Sequence, residues 1–183
     1  HWMVRRQRQM CIRDSSGTSG QVLASTVAAT QWVSPLANTS GARQISVSVD
    51  FNELGNLATT PKQLIAAPGV GKVIEVLSVA FKYTFNTTVY DFTSYLVVCA
   101  DGFVGNTDAV QAGFKETFIN GASDVLQGNQ NGVNLGFGAQ YIVENTALIL
   151  GTPGIDPTQG DGDLRLNIIY RILNVSNMTV DIT

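Results

Sequence analysis

The stretch KVIEVLSVAFKYTF, Lys72 to Phe85, places Val73, Leu77, Val79, Phe81, Tyr83 and Phe85 on one face of an extended chain and Ile74, Val76 and Ala80 on the other. Apolar residues recurring at every second position fit a strand, in which successive side chains point to opposite faces. The composition agrees with the period, because β-branched and aromatic residues pack well on a pleated surface and lose rotamer freedom in a helix.

The same period recurs on both sides of this stretch. QISVSVDF, Gln44 to Phe51, sets Ile45, Val47, Val49 and Phe51 against Ser46, Ser48 and Asp50. LRLNIIYRIL, Leu164 to Leu173, sets Leu164, Leu166, Ile168, Tyr170 and Ile172 against Arg165, Asn167, Ile169, Arg171 and Leu173. YDFTSYLVVCA (Tyr90 to Ala100), GFKETFI (Gly113 to Ile119), VNLGFGAQYIVE (Val133 to Glu144) and ALIL (Ala147 to Leu150) read as further strands. Turn residues separate them: NTT at 86–88, ADG at 100–102, NQNG at 129–132 and TPGIDPTQGDGD at 152–163. No stretch carries an amphipathic helix of three turns. Short strands at this spacing predict an all-β fold, an antiparallel β-sandwich of jelly-roll type.

Two of these strands are apolar on both faces, which in a sandwich means burial on both faces. Since no helix is available as a cover, a second copy of the chain is expected to supply it. Ile74, Val76, Ile169 and Leu173 are therefore candidates for a subunit interface in a cyclic homo-oligomer.

The front of the chain differs in kind. RRQRQMCIRDS, Arg5 to Ser15, resembles the one-frame translation of a DNA adapter used in transposase-based sequencing libraries over its whole length. Residues 1–15 are accordingly expected to be a non-native extension, standing where the rest of a longer protein belongs. With them set aside, the 11 basic and 14 acidic residues of the chain fall to seven and thirteen, and the net charge moves from −3 to −6. The lone His1 and one of the two cysteines, Cys11, go as well, leaving Cys99. The remaining Lys and Arg are scattered singly in an acidic chain, so no phosphate-tracking stripe exists and no nucleic-acid partner is expected. No apolar run reaches the ~20 residues of a membrane-spanning helix, so no membrane insertion is expected.

SGTSGQVLASTVAATQWVSPLANTSGAR, Ser16 to Arg43, holds too few apolar residues to enclose a core. It fits a linker, or an element that finds its partners in other chains. Within it, Gly17, Thr18, Gly20, Gln21, Val22, Leu23, Ser25 and Trp32 resemble a G-T-x-G-Q-V-L-x-S unit, followed by a Trp, of phage tail fibres. Val27 and Ala28 stand where that unit more usually has glycines. The rest of the chain resembles the trimeric jelly-roll heads of the tumour-necrosis-factor and complement-head type on phage and prophage structural proteins. The features that carry this are KQLIAAPGVGKVIEVLSVAFKYTF (Lys62 to Phe85), VENTALILGTP (Val143 to Pro153) and GDGDLRLNIIYRI (Gly160 to Ile172). The resemblance implies a fibre segment over 16–43, a knob over 44–176 and a short tail over 177–183. It further implies a homotrimer, with Trp32 added to the interface candidates, located on the virion at a tail fibre or the capsid surface. Its expected partner is a host cell-surface glycan or protein. A capsid decoration or head-fibre protein is the first alternative, and a polysaccharide-processing domain is a weaker one.

Catalytic residue types are scarce. Without histidine beyond residue 1, Ser-His-Asp, Cys-His and three-histidine metal sites are absent, and no enzyme is expected. A carboxylate pair drawn from Glu75, Asp91, Glu116 and Glu144 could serve glycoside hydrolysis only if two of them converged. Cys99, at a strand end, reads as a small core residue. APGVGKV, Ala67 to Val73, lacks the first glycine, the Ser/Thr and the helix of a phosphate loop, and reads as a tight turn in which Pro68 and Gly69 suit a type II geometry. Asp156, Asp161 and Asp163 form the one carboxylate cluster and are weak metal candidates, since Asp-Gly pairs are common turn formers. N-x-[ST] patterns at Asn38, Asn86, Asn174 and Asn177 arise readily in an Asn- and Thr-rich chain. No cofactor is expected.

Overall fold

A computed structural model describes residues 22–25, 30–33, 41–105, 110–129 and 142–181. The chain divides into two units, His1–Thr39 and Ser40–Thr183. In the first, β1 (Val22–Ser25) and β2 (Thr30–Val33) form an antiparallel hairpin with Leu23 opposite Trp32. The adapter-like residues 5–15 lie outside the described residues.

The second unit is an all-β sandwich of two four-stranded antiparallel sheets. Its strands are β3 (Arg43–Val49), β4 (Lys62–Ile65), β5 (Lys72–Thr84), β6 (Leu96–Ala100), β7 (Val110–Phe114), β8 (Val125–Asn129), β9 (Leu148–Gly151) and β10 (Asp163–Asn174). One sheet runs in the order β3-β10-β5-β8 and the other β4-β9-β6-β7. Consecutive strands change sheet at every connection except β6 to β7. The only α-helix among the described residues is one turn, α1 (Phe51–Leu54). GFKETFI departs from the expected strand: β7 ends at Phe114, and Glu116–Phe118 form a 3-10 turn that buries Phe118. Most of the strand expected over Val133 to Glu144 lies outside the described residues.

The core lies between the sheets, where Val79, Phe81 and Tyr83 of β5 and Leu164, Leu166 and Ile168 of β10 meet Leu96, Val98, Phe114 and Leu150 of the other sheet. The rings of Phe81 and Phe114 stand 4.1 Å apart between centroids and are tilted by 56°. Aromatic pairs favour such non-parallel arrangements.

The stretch that decides the fold does not keep its period throughout. Ile169 of β10 pairs with Ser78, and the next residue, Tyr170, pairs with Val76, so Leu77 is an extra residue that bulges out of the ladder. A bulge shifts the phase of the strand by one position. Before it Ile74 and Val76 point inward, and after it Val79, Phe81 and Tyr83 do. Ile74 and Val76 are therefore buried in the core of their own chain, and the bulge accounts for what looked like a strand with two apolar faces. Leu173 is buried too, where the tail folds back: Val180 bridges to Leu173, the Asp181 N–H donates to the Ile172 carbonyl at 2.8 Å, and Lys72 pairs with Asp181. Of the same four candidates only Ile169 keeps appreciable exposure, 37 %, on an outer face that also carries Ser46, Ser48, Lys82, Arg165 and the exposed Leu126.

Burial on both faces is most extensive in the second sheet. Every residue of β6, β7 and β9 is buried, and Val97, Cys99, Val110 and Ile149 form a separate cluster on the outer face, packed by Tyr95 and Val104. Gly151 is required there, because a Cβ at this position would lie 2.9 Å from the Val104 side chain.

Candidate functional site

The strand registers sort the loops to two ends of the sandwich. At one end the chain enters β3, since Arg43 pairs with Tyr170 near the end of β10. The same end holds the 66–71 turn, the 143–146 turn and the C-terminal return, tied together by hydrogen bonds from the Asn145 N–H to the Lys72 carbonyl and from the Val175 N–H to the Gly71 carbonyl, 2.8 Å each. Here the APGVGK segment is a turn: the Lys72 N–H donates to the Gly69 carbonyl at 3.2 Å, with Gly71 at φ 76°. The hydrogen-bonded turn thus closes over Val70 and Gly71, two residues after the Pro68-Gly69 position expected from sequence, although Gly69 also has positive φ, 101°. Lys72 is committed to Asp181 rather than to a phosphate.

At the opposite end four loops, 50–61, 85–95, 115–124 and 152–162, form a crown. Their backbones are cross-tied by side chains reaching from one loop to the next. The Asp161 carboxylate accepts from the Thr87 hydroxyl and from the Thr87 and Thr88 N–H groups, the latter at 2.7 Å. Those donors, led by the Thr87 hydroxyl, hold its carboxyl below the usual carboxylate range. Asp91 accepts from the Thr158 hydroxyl at 2.5 Å and N–H at 2.8 Å, and its pKa is lowered chiefly by that hydroxyl. Asp156 accepts from the Ala58 N–H at 2.6 Å, and Asp124 from the Phe85 N–H at 2.9 Å. The Asn120 amide accepts from the Phe92 N–H and donates to the Phe92 carbonyl.

Tyrosine rings fill the space beneath the crown. Tyr90 is 2 % exposed, donates to the Gly162 carbonyl at 2.8 Å and lies against Gly160, where a Cβ would sit 2.1 Å from its ring. Gly160 also has φ 130°, which side chains rarely adopt. Burial raises the Tyr90 phenol well above its ordinary value and pushes Tyr83 up to about 12, so both rings are neutral packing elements at physiological pH.

The three aspartates singled out from sequence do share this end of the molecule, but two of them serve as braces for backbone N–H groups and Asp163 begins β10. Among the described residues no group of three His, Cys, Asp or Glu side chains is arranged to hold a metal ion. Of the four carboxylates weighed for glycoside hydrolysis, Asp91 and Glu116 lie on crown loops and Glu75 and Glu144 do not. Glu75 pairs with Arg171, Glu144 accepts from the Gly71 N–H at the far end, Asp91 braces the crown, and Glu116 opens the 3-10 turn. Cys99 lies in the outer cluster of the second sheet, where burial pushes its thiol up to about 12. The braces at Asp91, Asn120 and Asp124 carried no sequence signal, since their partners are up to 67 residues away. Asp50 carried one: Asp50 to Glu53 has the spacing of a helix-capping pair, and Asp50 accepts from the Glu53 N–H at 2.9 Å.

No family model matches the chain, and no curated protein matches it. Among solved structures it is similar to a chain of the cyanophage Pam1 capsid asymmetric unit, at 18 % identity and a TM-score of 0.40, over 80 % of this chain and 96 % of that one.

Proposed function

We propose that the chain is a structural protein of a phage virion, a jelly-roll knob that trimerises and recognises a host-surface glycan or protein through its crown of loops. The observation that supports this most directly is the crown: four loops, at the end opposite to where the chain enters the sandwich, held to one another by Asp91, Asn120, Asp124, Asp156 and Asp161. A surface used for binding gains from loops ordered beforehand, because less conformational entropy is lost on association. The strand order, with first and last strands adjacent in one sheet and second and seventh in the other, suits a jelly roll. The fibre-like unit at Gly17 to Trp32 supports the virion assignment.

Two measurements test the reading. Light scattering should return three times the 19.6 kDa chain mass, and a monomeric mass would refute the trimer. On an array of bacterial surface polysaccharides the chain should retain a subset, and Asp161→Ala with Asp91→Ala should weaken that retention. Retention unchanged by loosening the crown would refute recognition through these loops.

A further inference from the structure

Within the crown, on its 50–61 loop, an open groove of about 330 Å³ runs between α1 and the start of β4. We infer that this groove binds one neutral pyranose unit of a saccharide, a reading that rests on the recognition role proposed above and assigns it a site.

Size comes first. The volume lies at the lower end of the ~300 to 1,000 Å³ range of small-molecule sites, room for a single sugar ring with its hydroxyls rather than a long chain. The lining decides the chemistry. Asn52, Asn56 and Gln63 contribute amides, each with a donor and an acceptor about one hydroxyl spacing apart, while Glu53 and Lys62 form an ion pair along the wall. The Asn56 amide donates to the Asn52 carbonyl at 2.6 Å, which fixes its orientation and leaves its own oxygen as an acceptor. Formal charge in the groove sums to zero, so neither a phosphate nor a cation is favoured. Pro61 and the methylene stems of Glu53, Lys62 and Gln63 give the groove apolar surface for the C–H face of one ring, beside the amides that meet its hydroxyls.

The groove is also ordered before any ligand arrives. Asp50 caps α1, Asp156 holds the Ala58 N–H, and the Thr60 N–H donates to the Asn56 carbonyl at 2.7 Å. Two short-range ties and one from the distant 152–162 loop therefore fix the segment that carries most of the lining. A site built from exposed amides on a pinned turn binds a monosaccharide weakly, and three copies on one particle would raise the avidity for a repeating polymer.

The test is a titration of the isotopically labelled full chain, followed by two-dimensional NMR, with methyl β-galactopyranoside, methyl α-glucopyranoside and N-acetylglucosamine, and with N-acetylneuraminic acid as an anionic comparator. At least one neutral sugar should shift the side-chain amides of Asn52, Asn56 and Gln63 and the backbone amides of 50–63, with saturation in the millimolar range. Gln63→Leu, a substitution at an exposed position, should weaken that sugar about tenfold, the equivalent of ~1.4 kcal/mol. Three results overturn the inference: no shifts in this segment with any neutral sugar, shifts with the anionic sugar alone, or unchanged affinity in Gln63→Leu. If polysaccharide is retained on the array while the groove stays silent, recognition by the other crown loops survives and the pyranose site does not.

Discussion

Replacing Ile74 by Ala and, separately, Leu77 by Ala tests the bulge that organises the core. If the strand alternated without interruption, Leu77 would join Val79, Phe81 and Tyr83 inside and Ile74 would face out. With the bulge at Leu77, Ile74 is 5 % exposed and belongs to the core cluster, whereas Leu77 is only half-buried. Truncating a buried isoleucine to alanine removes three carbon atoms from a packed interior and leaves a cavity, at a cost of about 2–4 kcal/mol. Leu77→Ala should cost below about 1 kcal/mol, since less of its surface leaves water on folding. For a chain of this length 1 kcal/mol corresponds to roughly 2–4 °C in Tm, so Ile74→Ala should lower Tm by about 8 °C and Leu77→Ala by about 2 °C. Urea denaturation should show a reduced midpoint with an unchanged slope in Ile74→Ala. The loss should not depend on protein concentration, because a side chain packed in its own core is insensitive to subunit dissociation. Equal losses, or a larger one in Leu77→Ala, would refute the register. A loss in Ile74→Ala that disappears at high protein concentration would return that residue to a subunit interface.

Gly160→Ala should destabilise the fold by about 2–4 kcal/mol, measured by thermal melting, because the new methyl group meets the Tyr90 ring in a backbone conformation unsuited to alanine. The crown should loosen with acid. The folded-state pKa values of Asp161 and Asp91 are depressed, so the stability they contribute is present above the ordinary aspartate value near ~3.9 and is lost as pH falls below it through the folded values. Hydrogen exchange at the Thr87, Thr88 and Thr158 amides should accelerate, relative to the core strands, over that interval and in Asp161→Ala for the first two; protection that holds to the acid limit would contradict the bracing. Cys99 should resist iodoacetamide at pH 8, where a thiol with a pKa of about 12 is almost wholly protonated and also buried, and should label on unfolding, as read by peptide mass mapping.

The elements legible in sequence were those with long alternation and, in LVVCA and ALIL at β6 and β9, short apolar runs bounded by turn residues. β3, β5 and β10 lie where QISVSV, KVIEVLSVAFKYT and LRLNIIYRIL placed them, and the Gly- and Asp-rich stretches between them are turns. β4 (KQLI), β7 (VQAGF) and β8 (VLQGN) escaped notice, because four or five residues containing Gln, Gly or Ala carry little period and little β-propensity. They are strands because neighbours already in place offer open edges for pairing. GFKETFI failed in the other direction, its β-prone ends outweighed by a turn that lets Phe118 reach the core beside Phe114. The Asp-rich loop was recognised as a turn with weak metal candidates, but nothing in it showed that Asp156 and Asp161 accept from distant N–H groups. The groove left no mark, since Asn52, Asn56 and Gln63 are ordinary surface residues until α1 and β4 are set side by side.

By itself, then, the sequence determined the class: an alternating apolar pattern that buries its surface between antiparallel sheets. Only the tertiary structure decided which face of each strand is inside. One extra residue at Leu77 inverts the phase of everything before it, and a period-two pattern with apolar residues in both phases cannot say where that inversion falls. The same holds for the loops, whose order depends on hydrogen bonds between residues brought together by the register of strands far apart in the chain.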